Sequence, residues 1–303
     1  MVTGAMVKEL REKTGAGMVD CKNALIEAEG NIERAIEILR EKGLNALSKK
    51  SGRIASEGVS YAYAENDLGI ILEVNSETDF VAKNPEFVTF VEDVAKQIKN
   101  SPVSDVESLL AENWHIDKNI TVEQALSQKI AIIGEKLSIR RFEKYQSENT
   151  IVVYIHGKGK VAVMLELSGK TSPALEEAGK NTAMQIAAMR PQFIDQSQIS
   201  QEFIAKEREI ETQKALAEGK PANIVDKVVT GRVNKNLKEI CLNEQEYVKD
   251  GSLTVKAYLA QVSKEAGHPV EVLRFVRYET GEGIEKKEEN FAEEVSKAMG
   301  TNL

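Results

Sequence analysis

Few residues of this chain are of a type that carries covalent or metal chemistry, and their spacing does not bring them together. His115, His156 and His268 stand apart from one another and from any Asp or Cys at a telling interval. Cys21 and Cys241 are 220 positions apart, with no CxxC or HxxxH pattern, so no metal site is expected. Gly169-Lys170-Thr171 has the ending of a phosphate-binding loop, but Met164 stands where the opening glycine is required. The Gly-x-Gly pairs at Gly15, Gly157 and Gly281 lack a third glycine and read as turns. The expectation is a protein with no catalytic residue, no metal and no cofactor.

One stretch stands out for a different kind of chemistry. ETDFVAKNPEF, from Glu77 to Phe87, puts an acid and a bulky aromatic, Asp79 and Phe80, directly after a strand and before a helix. Two readings follow from the local physics. Asp79 caps a short turn and Phe80 staples it into the core, or both side chains are displayed to enter another protein.

The elements around this stretch follow from patterning. The chain has 303 residues, and its hydrophobic fraction of 42% is enough to build cores. It carries 40 Lys+Arg against 48 Asp+Glu, a net charge of −8 that argues against direct nucleic-acid binding and anionic membranes. No apolar run reaches the length of a membrane span, the N-terminus does not read as a signal peptide, and the low cysteine count fits the cytoplasm.

Residues 1–45 read as three short helices. Val7 and Leu10 mark the first, Met18, Cys21, Leu25 and Ala28 one face of the second, and Ile32, Ala35, Ile36 and Leu39 the third, with Asn31 as its cap and Gly43 as its end. Residues 46–57 read as a linker in which Lys49, Lys50 and Arg53 are either solvated or a basic contact strip.

From Val59 the period changes to two. A hairpin forms around Asn66-Asp67-Leu68-Gly69, a helix follows Asn84-Pro85-Glu86, and SIRRFEKY closes the unit at Tyr145. TIVVYIH at Thr150, a turn at Gly157–Lys160, a strand from Val161 and a helix through Leu175 and Ile186 then repeat the order. EVLRFVRYE at Glu271 echoes SIRRFEKY, each with an Arg-Phe pair and a Tyr three positions on, and GEKLSI at Gly134 rhymes with GHPVEV at Gly267. The first strands lie 92 positions apart (Val59, Ile151) and the closing pairs 133 apart (Arg141, Arg274), so the second copy is 41 residues longer. The surplus, around Ala217 to Gly251, reads with the charged helix before it as a helical hairpin projecting from the body.

VKELREKTGAGMVDCKNALIEAEGNIERAIEILREKG, GIILEVNSETDFVAKNPEF and the later FVRYETGEGIEK resemble bacterial elongation factor Ts, in order and across essentially the whole chain. The resemblance implies an α+β fold: a UBA-like three-helix N-terminal domain (1–45), a linker (46–57), and a duplicated α+β core. The core would comprise subdomain N (58–146) and subdomain C (147–303), each with a three-stranded antiparallel sheet. Subdomain C would carry an inserted coiled-coil hairpin at about 204–251 and a C-terminal helix. The resemblance also implies a cytoplasmic guanine-nucleotide exchange factor for elongation factor Tu, not an enzyme with covalent chemistry. The N-terminal helices would dock on the GTPase's nucleotide-binding domain, with Thr78, Asp79, Phe80 and Val81 as the segment that dislodges its Mg²⁺. Two weaker partner contacts are implied. One is Val161, after the turn that matches a Gly-Gly-Arg-Ile-Gly-like hairpin. The other is Gln185, where the family often has a His; Gln bonds but does not charge. A helical docking module acting only as an adaptor would explain residues 1–45, but neither the Asp79-Phe80 junction nor the repeat.

Overall fold

The computed structural model describes residues 2–285; the expected C-terminal helix lies outside the described residues. Three helices open the chain: α1 (Gly4–Thr14), α2 (Met18–Glu27) and α3 (Ile32–Lys50). β1 (Glu57–Glu65) and β2 (Leu68–Ser76) follow, then α4 (Asp79–Ala82), α5 (Pro85–Asn100), α6 (Val106–Ala111), α7 (Val122–Ile133) and β3 (Leu137–Gln146). The second copy comprises β4 (Thr150–His156), β5 (Val161–Leu167), α8 (Pro173–Met189), the long pair α9 (Gln201–Ala217) and α10 (Ala222–Ile240), β6 (Glu246–Tyr247), β7 (Asp250–Thr254), α11 (Val255–Ala266) and β8 (Val272–Glu279). The strands form two three-stranded antiparallel sheets, ordered β1-β2-β3 and β4-β5-β8, and the short β6-β7 pair. Among the described residues, no helix is long and apolar enough to cross a membrane.

The N-terminal helices enclose Val7, Leu10, Cys21, Ala24, Leu25, Ala35 and Ile38. Two expectations change here. Met18 lies 61% exposed, beside exposed Val19 and Ile26, because so small a core has no room for a second layer. The third helix does not end at Gly43 but runs on to Lys50, through the first five residues of the expected linker. Gly43 is buried against α7, where a Cβ would sit 3.5 Å from the Ser127 carbonyl, so its bare backbone admits a neighbouring helix instead of stopping its own.

Contacts divide the chain into two compact units. One holds the chain up to Val59, Glu73–Phe142 and the segment from Thr280; the other holds Ser60–Leu72 and Glu143–Glu279. These boundaries differ from a cut at 146/147. Ala62, Ile71 and Tyr145 share a hydrophobic cluster with Ile151, Ala162, Met164 and Tyr278, so the first hairpin's turn and the end of β3 group with the second copy.

The repeated Arg-Phe-x-x-Tyr motif has a physical basis in both sheets. Arg141 Nε donates to Glu73 Oε2 at 2.6 Å on the central strand β2, and Arg274 Nε donates to Glu166 Oε2 at 2.6 Å on the central strand β5. Tyr145 and Tyr278 enter the shared cluster. Glu73 is fully buried and also accepts from Arg140 Nη1 (2.9 Å), Asn75 Nδ2 (3.0 Å) and the Gly281 backbone N–H (2.7 Å). Glu166 accepts from Ser147 Oγ and Asn149 Nδ2. Burial by itself pushes both carboxyls up, but these donors and the arginine charges outweigh it and hold both below the usual carboxylate range. A depressed folded-state pKa contributes stability above the unfolded-state pKa, and that contribution is lost as pH falls through the folded value. Unfolding free energy from urea titrations is therefore expected to decline below about pH 4. The decline should be shallower in the Glu73→Gln/Glu166→Gln double variant, and an unchanged slope would count against the assignment.

The helical hairpin of α9 and α10, whose second helix lies in the surplus of the second copy, packs around Ala215, Val229, Val233 and Leu237. Its helical part ends at Ile240, short of the expected 251. Residues 242–244 form a 3₁₀ turn and β6-β7 leads back to α11.

Candidate functional site

Thr78, Asp79, Phe80 and Val81 lie together on one turn, at the junction between β2 and α5. Thr78 is extended (φ −125°, ψ 155°) and caps α4, its Oγ1 accepting from the Val81 N–H at 3.3 Å. The cap is thus Thr78 and not Asp79. Four residues of helix follow, and Asn84 then caps α5 by accepting from the Glu86 N–H, with Pro85 at the first helical position. The caps at Thr78 and Asn84 bound this short helix, in which Phe80 is the second residue.

Phe80 is 82% exposed, whereas Phe87, seven residues on, is fully buried and anchors α5. Phe80 is therefore not a staple. An exposed Phe forgoes about 1.5–3 kcal/mol of burial in the free protein. Asp79 is half-exposed and accepts from Lys83 Nζ at 2.6 Å, one turn on. A surface pair of this kind contributes little to stability.

The base of the turn is tied down from the loop after α7. Thr78 donates from its backbone N–H to Glu135 Oε2 (3.0 Å) and from Oγ1 to Glu135 Oε1 (2.7 Å). The neighbouring Lys136 N–H donates to Glu77 Oε1 at 2.5 Å, and Lys136 Nζ reaches the carbonyls of Ser51 and Arg53. Arg53 Nη1 meets Glu77 at 3.2 Å. Arg53, expected in a linker strip, is thus bound to the residue preceding Thr78. Sequence reasoning missed Glu135 and Lys136; their only signal was the rhyme of GEKLSI with GHPVEV, which said nothing about the distant Thr78.

Val161 and Gln185 are not on this turn. Val161 opens β5 and lies in the core of the second sheet at 9% exposure, with Val163, Leu165 and Val272. Gln185, on α8, is fully buried. Its Nε2 donates to Gln245 Oε1 and the Glu246 carbonyl, and its Oε1 accepts from the Val248 N–H at 2.8 Å. Both side chains serve their own fold, and Gln185 fixes the β6-β7 hairpin whose turn exposes Val248. Among the described residues, no group of three or more His, Cys, Asp and Glu is placed to hold a metal ion. The turn presents an exposed aromatic and a half-exposed carboxylate to whatever surface meets it.

Comparison with known proteins bears on which surface that is. A family model described as elongation factor TS matches residues 77–282. The chain is similar to the elongation factor Ts of Clostridium novyi (strain NT), at 52% identity with 99% of each chain covered. It is similar to that of Clostridium perfringens (strain SM101 / Type A), at 52% identity over 99% of this chain and 100% of the relative. It is also similar to that of Clostridioides difficile (strain 630), at 50% identity over 98% and 99%.

Proposed function

The chain belongs to the elongation factor Ts family, and from that premise we propose that it accelerates GDP release from elongation factor Tu by inserting Thr78–Val81 beside the partner's Mg²⁺ and phosphate site. The observation that carries this reading is the 82% exposure of Phe80 on a doubly capped turn. A GTPase holds GDP through a phosphate-binding loop and a Mg²⁺ that bridges phosphate and protein oxygens. Phe80 enters an apolar pocket next to that site. Asp79, released from Lys83, draws on or repels the groups that hold the Mg²⁺. Loss of the ion weakens phosphate binding, GDP leaves, and GTP binding reverses the steps and expels the factor.

Nothing here requires a covalent step. The factor binds the nucleotide-free partner better than the nucleotide-bound one, and by linkage GDP and the factor weaken each other's binding by the same ratio. The exposed Met18, Val19 and Ile26 of α2 form the apolar face that docks on the nucleotide-binding domain. Gln185 contributes by holding the β6-β7 hairpin, whose Val248 is 48% exposed, and Val161 by setting the strand that follows the Gly157–Lys160 turn. The reaction belongs in the cytoplasm, and the net charge of −8 favours the GTPase over RNA as the direct partner.

The test follows labelled GDP leaving elongation factor Tu as the full-length chain is titrated in. A release rate that rises and saturates, together with dissociation of the complex by excess GDP, is expected. Binding that ignores nucleotide and leaves release unchanged would mean an adaptor instead.

A further inference from the structure

The geometry points to Glu135 as a positioning residue for exchange: its carboxylate clamps Thr78 and so holds the short helix α4 in the orientation that presents Phe80. This rests on the reading of Thr78–Val81 given above. Each carboxylate oxygen takes one donor from the same residue, the Thr78 N–H at 3.0 Å and the Thr78 hydroxyl at 2.7 Å. Thr78 is also the N-cap of α4, so the clamp fixes the one residue that sets the direction of a four-residue helix. A helix that short has almost no cooperative stability of its own and depends on its ends. Hydrogen bonds to an ionised carboxylate are the stronger kind, and a two-point contact fixes orientation as well as position.

The second copy of the repeat supplies an internal comparison. α7 ends at Gly134 and α11 ends at Gly267, both left-handed (φ 85° and 74°) and both just before the third strand of their sheet. The next residue is Glu135 in the first copy and His268 in the second. Counting from the buried glutamates Glu73 and Glu166, the fifth residue on is a threonine in each copy, Thr78 and Thr171, and the seventh is Phe80 or Pro173. In the second copy the chain enters α8 directly at Pro173, with Ser172 as cap and no displayed turn. His268 there hydrogen-bonds the Pro269 carbonyl and lies against Gly169. The same scaffold position therefore carries a carboxylate only in the copy that displays an aromatic. A purely structural need at this corner is met in the second copy without the carboxylate.

The adjacent residue extends the device. Lys136 joins the same loop to Glu77 through its N–H, and to the carbonyls of Ser51 and Arg53 through Nζ. Two consecutive side chains thus hold the base of the exchange turn and the chain that leaves α3.

The experiment compares wild type, Glu135→Ala, Glu135→Gln and Phe80→Ala as full-length factors. It measures the rate of GDP release from elongation factor Tu over a range of factor concentrations, and amide hydrogen exchange of residues 78–83 in the free factor. Glu135→Ala is expected to lower the maximal rate by about tenfold, with the half-saturating concentration changed by less than about twofold. It should also speed hydrogen exchange on the turn. Glu135→Gln keeps one acceptor and should recover part of both. A maximal rate within about twofold of wild type for Glu135→Ala, or a loss confined to the half-saturating concentration without faster exchange on the turn, overturns the proposal. If Glu135→Ala is poorly folded, Glu135→Gln decides alone: wild-type maximal rate and wild-type exchange on the turn overturn the clamp. The Phe80→Ala arm separates the two readings. A fully active Phe80→Ala defeats the role of the segment itself, whereas an impaired Phe80→Ala beside a fully active Glu135→Ala defeats only the clamp.

Discussion

Phe80→Ala is expected to cut the GDP-release rate at saturating factor by about ten- to a hundredfold while leaving the melting temperature of the free protein unchanged. The two halves of this expectation have one cause. The ring is 82% exposed, so its truncation opens no cavity. In the complex, burying it recovers about 1.5–3 kcal/mol, and each 1.4 kcal/mol is a factor of about ten. On the proposed mechanism the contact forms only as the nucleotide site opens, so the loss falls on the maximal rate and not on the half-saturating concentration. Asp79→Ala should act in the same direction but less, since part of its effect is offset by losing the pair with Lys83. Stopped-flow release of a fluorescent GDP analogue, alongside thermal melting, reads both quantities. An undiminished maximal rate for Phe80→Ala would end the insertion mechanism.

Glu73→Ala is expected to have the largest effect on stability, about 3–5 kcal/mol, because it removes a buried acceptor shared by two partly buried arginines, an amide and a backbone N–H. The carboxylate is fully buried and gathers Arg140, Arg141, Asn75 and the Gly281 N–H. Gly281 adds a backbone constraint. It sits at φ 75°, and a Cβ there would meet the Ser56 carbonyl at 2.0 Å, so only glycine brings its N–H to Glu73. Removing the carboxylate should therefore also loosen the segment from Thr280. Glu166→Ala should cost less, about 1–3 kcal/mol, because the Arg274 side chain is 45% exposed and water can replace its partner. Urea unfolding of the two variants, with hydrogen exchange around Gly281, measures the difference. Equal losses, or protection at Gly281 unchanged in Glu73→Ala, would refute the assigned network.

Much of the fold was legible because it is written in neighbouring residues. Asn84-Pro85-Glu86 starts α5 where it was expected, with Phe87, Phe90, Val91, Val94 and Ile98 all buried along one stripe. Asn31 caps α3 for the same local reason. The repeat was visible as Arg-Phe-x-x-Tyr. Its meaning was not, because the partner glutamates lie on other strands, 68 and 108 positions away. Gly43 misled because a glycine that ends a helix and one that admits a neighbouring helix look alike until the neighbour is in place. Val161 and Gln185 were matched by motif, but burial is a property of the assembled sheet and of the hairpin that covers α8.

The Asp79-Phe80 junction shows where the boundary lies. Residue order alone determined that a strand ends, a short turn intervenes and a capped helix begins, since strand alternation, N-caps and Pro at the first helical position act over a few residues. It left two fates for Phe80, inward or outward. The tertiary structure decided for outward. Phe87 and the rest of the α5 stripe already fill the core, and Glu135, 57 positions along the chain, fixes Thr78 so that the turn faces away. A side chain's exposure depends on what else occupies the space around it, and that occupancy is set by contacts between residues far apart in sequence.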